Sequence, residues 1–261
     1  HEMQGANNTE ANASIAFDCS PILGSSRVAD NFTVPAGEQW AINRMTFYAV
    51  VLAPPPANSP ITAVRVVIRN ASPVGASTVL YGDLTTNRLA ATSFSNIYTI
   101  QSSVVPPPTT PHQNFPVWKV EANVSVTLAP GTYWVEWQIV GGAGQRVFAL
   151  MSQPLNARTL PGYNGVNTFN SGPWTPTLDA GQPASLPNLP VDYCYGADYT
   201  VLPCNSPTAS VLSQVGYPSP PVTVFNETFN TVAPLPAGWA SQNLSTPVGL
   251  TGWLQGNVGV F

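Results

Sequence analysis

Proline and glycine interrupt this chain so often that long helices have little room to form. The 261 residues include 28 Pro and 20 Gly, and both are spread along the whole length without a repeat. Proline breaks a helix interior, and both residues are typical of turns. The short stretches between them alternate apolar with polar residues, and a period of two predicts β-strands.

The segment 127–140 shows this alternation most clearly. We predict that Leu128 to Gly131 forms a turn and that the strand 117–128 forms a hairpin with the strand 132–140. One face of the returning strand is apolar and carries Tyr133, Val135, Trp137 and Ile139. The other face carries Trp134, Glu136 and Gln138.

Regular short strands with Pro and Gly turns predict an all-β fold, an antiparallel β-sandwich of jelly-roll type. We expect an extended N-terminal segment at 1–28, a sandwich domain at 29–197, a Pro-rich linker at 198–222 and an incomplete second β unit at 223–261. The region 141–190 is expected to be rich in loops. Predicted strands lie at 14–17 within the N-terminal segment and at 32–34, 40–51, 61–69, 77–81, 96–102, 117–128, 132–140 and 189–195.

Charge is scarce and slightly negative, which excludes some partners. Only 8% of the residues are charged, the net charge is −4, and Lys119 is the single lysine. Binding to nucleic acid needs several basic residues to neutralise phosphates, so we expect no nucleic-acid partner. The longest apolar stretch, residues 47–53, is too short for a membrane span. The chain starts at His1 without an apolar leader, so we expect that any secretory leader has been removed.

The cysteines and the glycosylation patterns are compatible with a secreted or cell-surface protein. Cys194 and Cys204 are spaced to close a small loop as a disulfide, and Cys19 is left over, although its pairing with either of them stays open. The N-x-Ser/Thr pattern marks possible glycan acceptors, and at two of them alternation places the Asn on the polar face of a strand. The acceptors are Asn7, Asn12, Asn31, Asn70, Asn123, Asn226 and Asn243. The alternative is that Asn and Thr only replace charge on the outer faces.

Few residue patterns typical of catalytic sites occur in this sequence. With His1 and His112 as the only histidines, the chain has neither a serine-hydrolase elbow nor a zinc-protease motif. An N-terminal histidine in a β-sandwich is also found in copper-dependent polysaccharide monooxygenases, and this is kept as a minor alternative to the expectation that the chain is no enzyme.

Trp134 and Glu136 are the most suggestive pair of neighbours. Glu136 shares its predicted face with Trp134, and we interpret it as an exposed strand residue beside an aromatic ring. An exposed Trp134 would serve as a platform for stacking a sugar ring.

The C-terminal region contains the segments 225–230 (FNETFN), 235–239 (LPAGW), 247–249 (PVG) and 253–257 (WLQGN), together with Asn243. With this spacing it resembles the opening of the choice-of-anchor J domain, a relative of cleaved-adhesin and MAM-type jelly rolls on secreted bacterial proteins. The preceding block, with NFTVPAGEQWAI and LAPGTYWVEW, looks like the β-sandwich that often precedes such modules.

The resemblance implies that Glu227 helps to bind a structural Ca²⁺. Glu227 also shares a strand face with two phenylalanines, where a carboxylate needs a cation or hydrogen-bond donors. A glutamate bonded to backbone amides is the alternative.

These features predict a non-catalytic, secreted structural or adhesion protein. Its incomplete second unit would be completed by further chain or by strands of another copy, as in an extracellular fibre. The expected partners are other copies of the chain or extracellular glycans. The alternative function is a carbohydrate-binding accessory region of a secreted hydrolase or peptidase.

Overall fold

The computed structural model describes residues 14, 16–52, 58–99, 115–152, 162–181, 185–203 and 214–215. They form β-strands and one turn of 3-10 helix at Gly142–Gly144. The strands are β1 (Ala16–Asp18), β2 (Arg27–Val34), β3 (Glu38–Val50), β4 (Ile61–Arg69), β5 (Val79–Asp83), β6 (Leu89–Tyr98), β7 (Pro116–Leu128), β8 (Gly131–Gly141), β9 (Phe148–Ser152), β10 (Val166–Thr168), β11 (Thr175–Pro176), β12 (Leu178–Asp179), β13 (Leu189–Pro190), β14 (Asp192–Tyr193), β15 (Tyr195–Pro203) and β16 (Gln214–Val215).

Two antiparallel sheets form a sandwich, which confirms the predicted fold class. One sheet has six strands in the order β11-β10-β2-β8-β4-β5. The other has eight strands and is organised around β3, which pairs with β7 along one edge and with β15 and then β9 along the other. A separate small sheet joins β12 to β13.

The core lies between the inner faces of the two sheets. On β8 the predicted apolar face is the inner one, and Trp137 is fully buried there. Its ring stacks on Phe47 of β3 with the centroids 4.9 Å apart. Each such side chain contributes about 2–3 kcal/mol through removal of apolar surface from water. The alternating segment Ile61–Arg69 likewise forms β4, with its aliphatic face in the core.

The hairpin predicted around Pro130 is wrong in its pairing. Both strands and the turn are present, but β7 bonds to β3 and β6, whereas β8 bonds to β2 and β4. The chain therefore crosses from one sheet to the other at this turn. Turn residues specify where a chain reverses, and the apolar faces of β7 and β8 then decide that the strands face each other across the core.

Strands of the sandwich are also observed outside the predicted range 29–197. Strand β1 pairs with β9 inside the segment 1–28, and Cys19 is already buried in the core. At the other end, β15 pairs with β3 as far as Pro203, inside the predicted linker 198–222. By contacts the chain divides into two units, His1–Ser219 and Pro220–Phe261, and the second lies outside the described residues.

Strand β6 lies at residues other than those predicted, and strand β9 was not predicted. The strand expected at 96–102 is observed as β6 at Leu89–Tyr98, where small polar residues hide the alternation. Strand β9 lies in the region expected to be loop-rich, and its residues Ala149, Leu150 and Met151 are all buried. A strand buried on both faces has no alternation to detect.

Candidate functional site

The outer face of β8 differs from the expectation for Trp134 and Glu136. Both residues share one face, as predicted, but Trp134 is only 8% exposed and Glu136 is fully buried. Trp134 packs with Ala29, Val166 and Trp174. The exposed sugar-stacking platform predicted at Trp134 is therefore not present, because residues of β2, β10 and the following loop cover the ring.

Glu136 is held by two arginines from the flanking strands. Its Oε1 accepts a hydrogen bond from Arg27 Nη1 at 2.6 Å, and its Oε2 accepts one from Arg69 Nε at 2.7 Å. The arginine side chains are 18% and 19% exposed. A buried carboxylate with two charge-assisted bonds is satisfied, and removal of either side of such a pair is costly.

A second polar contact continues this network along the same face. Gln138 is fully buried, and its side-chain oxygen accepts a hydrogen bond from Arg65 at 2.5 Å. Its amide nitrogen donates to Ser25 Oγ and to the carbonyl of Ser26. Side chains that alternation assigned to solvent thus form buried polar contacts on the outer face of the six-stranded sheet.

Most cations among the described residues form ion pairs with carboxylates of the same chain. Arg44 and Lys119 both contact Glu121, Arg88 contacts Asp83, and Arg146 contacts Asp18. With the two arginines on Glu136, every described cation except Arg65 has a carboxylate partner. The remaining outward positions of the strands are filled mainly by hydroxyl and amide side chains, as on β7, where Asn123, Ser125 and Thr127 are exposed.

Strand β6 is an edge of the eight-stranded sheet. Among the described residues it pairs with β7 alone. Its ten residues, LAATSFSNIY, contain neither a charge nor a proline. Register shifts occur between Leu89 and Ala91 and between Phe94 and Ile97, so the pairing is regular over residues 91–94. Edge strands are usually protected by lysine, proline or bulges, and here only the bulges are present.

A row of half-buried aromatic rings lies at the end of β2 distant from Arg27. Trp40 stacks on Tyr199 with the centroids 3.6 Å apart, and on its other side lies Phe32 at 6.3 Å with nearly parallel planes. Tyr133 continues the row at 5.9 Å from Phe32. Burial, with a smaller effect of Glu38, raises the pKa of Tyr199 to about 12, so the phenol stays neutral.

A carboxylate without a cationic partner lies on the inner side of β2. Asp30 is 2% exposed and accepts hydrogen bonds from the backbone amides of Asn31 and Tyr193. Burial, together with the negative charge of Asp192, raises the pKa of Asp30 to about 7. The two amides act in the opposite direction but do not offset the loss of hydration.

Three of the predicted glycan acceptors can be placed on the structure. Asn70 and Asn123 are exposed, and Asn31 is half-buried on the outer side of β2. Their occupancy stays a prediction. Asn7, Asn12, Asn226 and Asn243 lie outside the described residues.

The predicted disulfide between Cys194 and Cys204 is not tested, because Cys204 lies outside the described residues. No disulfide joins two described cysteines, so Cys19 is not paired with Cys194. Cys19 is fully buried, and its thiol donates to the carbonyl of Val147. Burial raises the pKa of this thiol far above its usual value, so it is a core residue without nucleophilic character.

The remaining site residues lie outside the described part of the chain. These are Glu227, expected to bind Ca²⁺, and the two histidines, His1 and His112, of the copper alternative. Within the described ranges no three metal-binding side chains come together. No α-helix in those ranges is long and apolar enough to cross a bilayer.

Comparisons with known proteins leave the chain without a family assignment. No protein-family model matches it, and no curated protein matches it significantly. The resemblance of residues 223–261 to the choice-of-anchor J domain stays a prediction.

Proposed function

We propose that this chain is a non-catalytic, secreted or cell-surface structural or adhesion protein whose copies join through β-strand contacts. The observation that carries the proposal is the uncharged edge strand β6. Its backbone offers hydrogen-bond groups to a further strand, and none of its own side chains carries a charge that would oppose the approach of another copy. The internal pairing of most charges supports it, because electrostatic repulsion between copies is then weak.

Extracellular placement rests on separate support. The resemblance at 223–261 is to domains of secreted proteins, and the exposed Asn70 and Asn123 stand where glycans would be attached. The Ca²⁺ expected at Glu227 belongs to the same proposal. Intact mass of native material, compared with the mass calculated from the sequence, tests whether glycans are present.

Sedimentation velocity over a range of concentrations tests the assembly. We expect the 261-residue chain to associate as concentration rises, and we expect Ser93→Lys to weaken association at least tenfold, because Ser93 is exposed on the regular part of β6. Asn43→Lys is the control, since Asn43 is an exposed polar residue on β3, which pairs with β7 on one side and with β15 on the other. A chain that stays monomeric throughout, or equal weakening by both substitutions, would overturn the proposal.

A second candidate, a carbohydrate-binding accessory region, is favoured by the row of aromatic rings around Trp40. Half-buried rings at the end of a sandwich offer apolar edges and faces to a sugar. Glycan-array binding that is lost in Trp40→Ala would support this function. Binding that persists in that variant would place the sugar elsewhere on the protein.

A further inference from the structure

Two turns of the chain meet beside Arg27, at the start of β2. We call residues 21–26 and 169–174 together the turn junction. The hydroxyl of Ser171 donates to the carbonyl of Gly24, and the amide of Asn170 donates to Ser26 Oγ at 3.3 Å. The contact is close enough that a Cβ at Gly24 would collide with the side chain of Asn170. The two turns therefore hold each other in one arrangement.

The backbone of the turn junction is unusually strained. Ser25, Asn170 and Ser171 have φ angles of 66°, 51° and 59°. A non-glycine residue in this left-handed region costs about 1 kcal/mol or more, and such residues concentrate at ligand sites. Only one other non-glycine residue of the described chain, Asn96, has a positive φ.

The same two turns also expose apolar side chains. Ile22 and Leu23 are each 40% exposed, and Phe169 is 54% exposed. Trp174 is half-buried in the second turn. These exposed side chains suit contact with the apolar face of a ligand.

The neighbouring sheet adds an excess of positive charge. Arg27, Arg65 and Arg69 share the outer face of β2 and β4, and Glu136 is the one carboxylate that the described structure places in contact with them. Three cations and one anion leave an excess of two positive charges. The protein as a whole has a net charge of −4, so this excess is local.

Arg27 connects this charge to the turn junction. Its guanidinium lies over the ring of Trp174, 5.3 Å from the centroid. One of its nitrogens bonds to Glu136, while its Nε is buried with no hydrogen-bond partner. A guanidinium has five N–H donors, and because Nε is buried, only the terminal nitrogens of the 18% exposed side chain are left to bind a second carboxylate.

We propose that the turn junction binds an acidic carbohydrate. The apolar face of a uronic-acid ring would pack on the exposed ring of Phe169, and its carboxylate would bond to Arg27, which Trp174 holds in place. This site uses neither β6 nor the aromatic row around Trp40, which lies toward the other end of β2. Its failure and the failure of the proposed assembly are therefore distinguishable.

Isothermal titration calorimetry of the full 261-residue chain tests the site. The probes are a galacturonic-acid oligosaccharide and its fully methyl-esterified form, which has the same rings without the charges. We expect the acidic form to bind at least tenfold more tightly. Equal binding of the two forms, no binding of either, or tighter binding of a polyglutamate peptide would overturn the proposal. Inorganic sulfate binding as tightly as the oligosaccharide would overturn it as well.

Single substitutions test where on the protein the acidic oligosaccharide binds. Arg27→Lys keeps the charge beside Glu136 but loses the planar fork, and we expect it to weaken binding about tenfold. Phe169→Ala alters an exposed ring outside the Glu136 network, so it keeps the test valid if Arg27→Lys fails to fold, and we expect a similar loss. Arg44→Lys is the control, because Arg44 pairs with a glutamate on the other sheet. Weakening by the control equal to that of both test variants would contradict the location.

Discussion

The outer faces of the two sheets contain the same arrangement of charge in different surroundings. On the eight-stranded sheet Glu121 lies between Arg44 and Lys119, both at 3.2 Å, and these cations are each 40% exposed. On the six-stranded sheet Glu136 lies between two arginines at 2.6 and 2.7 Å and is fully buried. Each site is one carboxylate shared by two cations. At Glu136 both arginines come from neighbouring strands, whereas at Glu121 Arg44 lies on the neighbouring strand β3 and Lys119 lies on β7 itself.

The two sites differ in whether other residues cover them. We infer that this cover, more than the charge pattern, decides how much such a site contributes to the free energy of unfolding. An exposed ion pair is screened by water and contributes about 0–1 kcal/mol. A buried carboxylate has lost its hydration, so its stability depends on the partners that replace water. The loop that contains Trp174 and the polar residues around Gln138 provide the cover over the six-stranded sheet.

The largest expected effect separates the two glutamates directly. Glu136→Gln leaves two partly buried guanidinium groups without their shared anion, and we expect a loss of about 3–5 kcal/mol in the free energy of unfolding. Urea unfolding followed by tryptophan fluorescence measures it. A loss below about 1 kcal/mol would mean that the covering layer does not isolate Glu136 from water.

Asp30 is a third buried or partly buried carboxylate, and unlike Glu136 and Glu121 it has no cationic partner among the described residues. The pKa of Asp30 is raised to about 7 by burial and by Asp192. Between about pH 4 and pH 7 the unfolded chain releases this proton while the folded chain keeps it, so stability falls as pH rises through this range. The shift corresponds to an upper limit of about 4 kcal/mol.

Asp30→Asn tests this pH dependence. Urea unfolding at pH 5 and at pH 8 should show the native chain less stable at pH 8, and the variant should show a much smaller difference between the two conditions. Asp192 also has a raised pKa, and its contribution remains in the variant. Equal pH dependence of the two proteins would show that Asp30 is ionised in the folded chain at neutral pH.

The smallest effect is expected at Glu121, which is partly exposed and whose two cations are each 40% exposed. Glu121→Gln should cost less than about 1 kcal/mol, and the cost should decrease further in 0.5 M salt, because exposed charges are screened. The same unfolding measurement in low and high salt checks this. A salt-independent cost as large as that of Glu136→Gln would remove the distinction between the two faces.

Much of the fold was predictable from local patterns. The alternation of β8 correctly assigns Trp137 to the core and Glu136 to the opposite face, since side chains alternate along a strand. Strand β4 lies where its alternation predicted it. The hydroxyl and amide residues of β7 face outward, as their positions between buried residues indicated.

The candidate sites were less predictable, because they depend on contacts between distant segments. The covering of Trp134 and Glu136 involves residues more than 100 positions away in sequence, such as Arg27. The sequence pattern predicts strand β6 at 96–102 and not at its observed position, because the small polar residues of this strand show little periodicity. The turn junction could not be predicted from the sequence, because exposed apolar residues cannot be distinguished there from core residues.

The scarcity of charge, the period-two patterns and the Pro and Gly turns by themselves determined an all-β antiparallel sandwich with a hydroxyl-rich surface. Only the tertiary structure decided which strands pair, as at Pro130, and which outward faces meet water. Alternation divides a strand into two faces by local geometry, but burial of the outer face depends on where a separate segment of chain comes to lie. That second layer buries the carboxylate of Glu136 between its two arginines, whereas Glu121 and its two cations stay partly exposed to solvent.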